Sequence, residues 1–142
     1  MVAAATSGLI FGIACVLVHY ETLRILSIWT PRLTMRPRWR IVIVICGAYF
    51  SHLLQILLFT AGFLLLTNFF GLQATHPGGG PLPFDYALFY SVESFTSLGS
   101  SSTYPLGPLR LFAGLEGVIG LLLIGWSTSY TYLVMREYWD LH

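Results

Sequence analysis

Lysine is absent, and charge of either sign is scarce: Asp, Glu, Lys and Arg make up 9% of 142 residues, against 56% that are hydrophobic. A soluble domain of this size carries roughly a quarter charged residues. The composition, with a mean hydropathy of +0.74, excludes that class and implies an integral membrane protein. The two cysteines, Cys15 and Cys46, lie in separate apolar runs without CxxC spacing. That argues against a thiolate metal site and for small packed side chains. No Ser/His/acid set, phosphate loop or metal-ligand cluster has usable spacing, so the chain does not read as an enzyme. Internal repeats and coiled-coil heptads are missing, and no stretch is left over for a soluble ligand-binding domain. The N-terminal MVAAATSGLIFGIACVLVHY lacks the basic n-region of a signal peptide and is expected to be retained as helix.

What is present is a series of long apolar segments with one basic interruption. Residues 1–30 are long enough, at ~1.5 Å per residue, to cross a ~30 Å hydrocarbon core as one helix. His19, Glu21 and Arg24 occupy its second half, with Glu21 and Arg24 spaced i,i+3 to pair on one face, and Trp29 marks an interface. Pro31 is expected to end this helix. The link 31–40, PRLTMRPRWR, is short and densely positive; Arg24, Arg32, Arg36, Arg38 and Arg40 are five of the seven basic residues. By the positive-inside rule the link is cytoplasmic and the N-terminus extracytoplasmic. The cluster thus sets topology and does not mark a nucleic-acid surface. A second crossing covers 41–70, interrupted by His52, Gln55 and Asn68. The following GLQATHPGGGPLP, 71–83, opposes both helix and strand through its glycines and prolines and reads as a turret-like extracytoplasmic loop. Residues 109–138 form the last crossing, apolar from Leu111 to Ile124, with Arg136 and Trp139 at its cytoplasmic end.

Between the last two crossings lies FDYALFYSVESFTSLGSSSTYP, 84–105. Phe84 to Thr96 predicts a helix of about 13 residues, ~20 Å long and too short to cross. Asp85 falls in its first turn, where a negative charge suits the helix dipole. The chain must then return through 97–108 to the side it came from, which makes this stretch a re-entrant loop. Non-helical backbone at membrane depth is tolerated only where protein or water satisfies its polar groups, so a Gly/Ser/Thr segment there implies a wet cavity. Three crossings enclose such a cavity poorly. Four copies around one axis complete its lining, which points to a homotetramer in the lipid bilayer.

These residues carry a resemblance. ALFYSVESFTSLGSSSTYP resembles the pore helix and filter of potassium channels, whose pattern runs approximately aromatic-aromatic-S-V-x-T-x-T-T-V/L-G-Y-G-D-x-x-P. The spacing matches without a gap from Phe89 to Pro105. LRLFAGLEGVIGLLLIGWSTSYTYL is similar to the inner helix of small bacterial ion-channel proteins. HYETLR, SHLLQ and the arginine-rich link resemble a bacterial subgroup with one extra N-terminal helix. The resemblance implies an all-α membrane protein of the bacterial inner membrane, with three transmembrane helices plus a re-entrant pore helix and loop. Residues 1–30 would be the extra helix, 31–40 the linker and 41–142 the tetrameric pore module, divided into outer helix 41–70, pore helix and filter-like loop 84–105 and inner helix 109–138. It further implies a pore lined by Thr96, Ser97, Leu98, Gly99, Ser100, Ser101 and Ser102. A permeant monovalent cation, potassium or sodium, would pass there with no bound cofactor.

The departures matter as much. Where the family has T-V/L-G-Y-G-D, this chain has Ser97-Leu98-Gly99-Ser100-Ser101-Ser102, so the first glycine survives while tyrosine, second glycine and aspartate are serine. A potassium filter points its carbonyls inward through left-handed glycines, and serine at 101 in that conformation costs on the order of 1–2 kcal/mol per subunit. Ser100 also removes the aromatic packing that holds such a filter at fixed width. Upper filter sites are therefore expected to be absent, widened or lined by hydroxyls, and strong potassium selectivity lost.

Glu93 occupies the pore-helix position where some potassium channels pair a glutamate with the aspartate after GYG, here Ser102. It is either a filter-stabilising or pH-sensing group, or a satisfied structural acid. Glu116, an intramembrane acid, is either part of a cation path, a support behind the filter, or a partner of the pore loop. Gly114, Gly117, Gly120 and Gly125 permit close helix packing or a gating bend. His19 and His52, with Glu21, form either a metal or proton site or an interhelical hydrogen-bond network. Ser127, Thr128 and Ser129 either line a wet vestibule or bond back to their own helix. Two functions stay open: a cation channel of weak or altered potassium selectivity, and a non-conducting relative acting as an accessory or scaffold subunit with other membrane proteins.

Overall fold

The computed structural model describes residues 1–76, 80–99 and 104–138. Helix α1 spans Val2–Trp29 and is followed by a 3-10 turn at Thr30–Arg32. Helix α2 spans Pro37–Asn68, α3 Phe84–Thr96 and α4 Leu109–Tyr138. A two-residue antiparallel pair joins β1, Ala74–Thr75, to β2, Tyr104–Pro105. Apart from that pair and the 3-10 turn, the regular structure among the described residues is α-helical. Helices α1, α2 and α4 are long and apolar enough to cross a membrane, whereas the 13 residues of α3 are too few.

One proline position corrects an expected boundary. Helix α2 begins at Pro37, earlier than residue 41, because proline fits a first turn where its missing N–H would have had no partner anyway. Helix α1 ends at Trp29, as expected, and Pro31 lies in the 3-10 turn that follows it. The link is pinned at both ends: Arg40 donates to the Leu33 carbonyl at 2.7 Å, and its guanidinium sits 5.1 Å from the centre of the Tyr138 ring on α4. The β pair is a further correction, since glycine and proline in 71–83 argue against a strand. Ala74 opposes Pro105, Thr75 opposes Tyr104, and the Leu106 N–H donates to the Gln73 carbonyl at 2.8 Å. The loops entering and leaving the α3 region are thereby tied together.

The buried side of α1 is a stripe of Ala4, Gly8, Gly12, Cys15, His19 and Leu23 at steps of three or four. A Cβ on Gly8 would meet Leu115 at 2.6 Å, and one on Gly12 would meet Ile119 at 3.2 Å, so aliphatic side chains of α4 fill these two notches. Small residues that let helices interlock drive association in lipid, where no hydrophobic force acts between helices. The core converges on Phe112 of α4. Its ring centre lies 4.9 Å from Phe63, 5.2 Å from Phe59 and 5.8 Å from Phe11, and Phe63 in turn meets Tyr90 of α3 at 5.2 Å. The contacts of Phe112 with Phe11 and Phe63 and of Phe63 with Tyr90 are edge-to-face, worth ~0.5–1.5 kcal/mol each beyond their area, and they join all four helices. Outside, Leu9, Ile10, Ile13 and Leu17 of α1 and Phe50, Leu53, Leu54 and Leu57 of α2 are exposed. Exposed apolar rows of this kind suit helices long enough to cross a membrane.

Candidate functional site

Helix α3 is wedged between α2 and α4, and two glycines of α4 make the approach possible. A Cβ on Gly120 would overlap the Phe95 carbonyl, and one on Gly117 would lie 3.2 Å from the Ser94 carbonyl oxygen. The last turn of α3 therefore rests on the bare backbone of α4. Gly114 and Gly125, grouped with them in the sequence, have nothing within 4 Å. The four glycines thus divide into two that pack and two on an open face.

A buried polar contact holds the middle of the wedge. The Ser91 hydroxyl lies 3.0 Å from the Ile56 carbonyl of α2 and 2.5 Å from Glu116 Oε1 of α4, with Ser91 and Glu116 both fully buried. One hydroxyl proton faces two acceptors, and the Ile56 carbonyl also accepts the Thr60 hydroxyl at 2.8 Å; a proton on the carboxyl lets Glu116 donate to Ser91 while Ser91 donates to Ile56. Glu116 Oε2 is buried without a hydrogen-bond partner among the described residues. Helix α3 is thus tied to both of its long neighbours through one side chain. Glu93 is buried on the same helix.

The C-terminus of α3 turns sharply. Ser97 is left-handed at φ 56°, its N–H donates to the Ser94 carbonyl at 3.1 Å, and the Leu98 N–H donates to the Glu93 carbonyl at 3.1 Å. This is a Schellman motif with serine at the position glycine usually takes. Gly99 is left-handed as well, at φ 51°. Of the residues assigned to a pore lining, Thr96 is half-buried and bonds back to the Val92 carbonyl at 2.7 Å. Ser97, Leu98 and Gly99 are exposed in the single chain, Leu98 at 73%. Ser100, Ser101 and Ser102 lie outside the described residues, as does Trp139.

A second polar cluster sits between α1, α2 and α4. Gln55 Nε2 lies 3.2 Å from His19 Nδ1 and 2.9 Å from Ser51 Oγ, and its Oε1 lies 3.0 Å from His52 Nδ1. Ser127 Oγ stands 3.2 Å from His19 Nε2 and 3.0 Å from His52 Nε2. The two imidazoles stack at 5.2 Å, and Trp126 lies 5.4 Å from His19. Glu21 is not part of this cluster: it is exposed and paired with Arg24 at 3.0 Å. Among the described residues no group of three or more His, Cys, Asp or Glu side chains is placed to hold a metal ion. Thr128 and Ser129 bond back to the Ile124 and Gly125 carbonyls at 2.9 and 3.0 Å, leaving Ser127 as the member of that trio that reaches other helices.

Comparison with protein-family models, with curated proteins and with solved structures gives no match. The residues that sequence reasoning missed are Ser91, Ser51 and Trp126. For Ser51 a signal existed, because Gln55 stands four residues after Ser51 and three after His52 in an otherwise apolar run, the two spacings that bring helix side chains together. Ser91 carried no such signal.

Proposed function

We propose that this chain is the subunit of a homotetrameric membrane ion channel of potassium-channel type, passing monovalent cations with weak or altered potassium selectivity. The observation that carries the reading is α3: a helix too short to cross, wedged between two crossing helices, ending in a left-handed turn that leaves Ser97, Leu98 and Gly99 uncovered. Four such ends around an axis would point the negative ends of their helix dipoles at a common cavity and attract cations. The serines from 100 to 102 would line the constriction with hydroxyls, so that ions pass partly hydrated. The Ser91 and Glu116 contact then acts as the strut that keeps each pore helix at its angle, with no part in contacting the ion. In this reading 41–142 is the pore module, α4 the inner helix and α1 the added helix, with the arginine-rich link on the cytoplasmic side.

The experiment is cation flux into liposomes carrying purified protein, together with its mass in native detergent complexes. Tetramers that admit potassium and sodium are expected. Tetramers that pass no cation at any pH or voltage would favour the non-conducting accessory subunit, and monomers would remove the pore altogether.

A further inference from the structure

The bonds among His19, Gln55, His52 and Ser127 close into a ring. Gln55 Nε2 donates to His19 Nδ1, so the hydrogen of a neutral His19 is on Nε2 and goes to Ser127 Oγ. The Ser127 hydroxyl donates to His52 Nε2, and His52 Nδ1–H donates to Gln55 Oε1, returning to the start. Every donor meets an acceptor and all four ring nitrogens are used. Turning the amide over and reversing each bond gives the same ring with the tautomers exchanged. In either direction both imidazoles are neutral and their tautomers are opposite.

A further proton breaks this arrangement. On His52 Nε2 it points at the Ser127 hydroxyl, which is itself donating. On His19 Nδ1 its one other acceptor is Ser51 Oγ, 3.3 Å away and already holding Gln55 at 2.9 Å, so the amide is displaced. Two imidazoles stacked at 5.2 Å also disfavour two positive charges, which limits the pair to one added proton. A groove of about 560 Å³ between α2 and α4 reaches the ring; His52 and Ser127 line it with Tyr49, Thr128, Thr131 and Tyr132, and the aliphatic side chains of Ile45, Ala48, Ile124 and Met135 complete its wall. His19 lies behind them, fully buried.

The neighbours supply no competing charge. Helix α1 contributes Cys15 one turn before His19, and its Glu21 and Arg24 are exposed and paired with each other. Helix α2 presents Tyr49 in the groove and α3 the Phe95 ring, 5.6 Å from His52. Helix α4 presents Trp126 and Tyr132, while its Glu116 is engaged with Ser91. Among the described residues no carboxylate or guanidinium bonds to either imidazole.

We propose that this ring is an intramembrane proton-binding site: one proton entering through the groove binds the His19/His52 pair, opens the ring and loosens α1 from α2 and α4. The ring is complete while both imidazoles are neutral, so its contribution is full at higher pH and is lost as pH falls. The proposal stands whether or not the chain conducts.

Two measurements on full-length protein in lipid nanodiscs test it. In a chain carrying His76→Asn and His142→Asn, which leaves the ring intact, nitrogen NMR of labelled histidine at neutral pH is expected to show one imidazole of each tautomer. Two of the same tautomer would overturn the ring. In a chain whose sole indole is Trp126, through Trp29→Phe, Trp39→Phe and Trp139→Phe, a neighbouring imidazolium quenches emission. Emission is expected to fall in one step as pH is lowered from about 7 to about 3, alongside faster hydrogen exchange in α1, and to lose that step in His19→Gln. Flat emission, a step that survives His19→Gln, or unchanged α1 exchange would overturn proton binding here.

Discussion

Ser97 holds a left-handed backbone, at φ 56°, where its Cβ crowds the following carbonyl. Ser97→Gly is therefore expected to raise the stability of the detergent-solubilised protein by about 1 kcal/mol, read from denaturant or thermal unfolding, while Ser97→Ala gives no gain. Sequence reasoning anticipated such strain in this segment at residue 101, which lies outside the described residues; among the described residues it falls at 97, where the helix closes in a Schellman turn at the first residue of the filter-like tract. Glu116 yields a contrast of variants. Ser91→Ala strands a buried carboxyl and is expected to cost about 1–3 kcal/mol, whereas Glu116→Gln still donates to Ser91 and is expected to cost less than about 1 kcal/mol. Equal losses in the two variants, measured by unfolding, would mean that Glu116 is not held as a donor. An acid inside an apolar helix was legible from sequence alone. Its partner was not, because Ser91 reads as an ordinary polar residue in a short helix until α3 is folded against α4.

The elements themselves were largely legible, since hydrophobic length decides which segments can cross and a run of about 13 residues cannot. Helices α1, α3 and α4 begin and end where composition places them, and α2 starts earlier only because proline suits its first turn. What sequence left open was which glycines pack. Gly120 faces the Phe95 carbonyl, a backbone group that cannot swing aside, so Gly120→Ala is expected to cost more than about 2 kcal/mol by forcing α3 off α4. Gly114 has open space around it, so Gly114→Ala is expected to stabilise α4 by roughly 0.5–1 kcal/mol through helix propensity. Thermal unfolding of the two variants checks both signs, and a loss at Gly114 would mark a neighbouring copy packed on that face. The β pair between 74–75 and 104–105 escaped the sequence because two residues carry no periodicity and sit beside glycine and proline.

At the scale of the whole molecule, α2 and α4 on either side of α3, with α1 locked in by Gly8 and Gly12, leave Ser97, Leu98 and Gly99 exposed in the single chain. The proposed channel rests on that exposure, and its altered selectivity rests on serine at 100, 101 and 102 where a potassium filter has tyrosine, glycine and aspartate. The most direct measurement is the reversal potential of purified protein in a planar bilayer under a potassium/sodium gradient. The account predicts a cation current reversing well short of the potassium equilibrium potential; reversal at that potential, or no current at all, would contradict it.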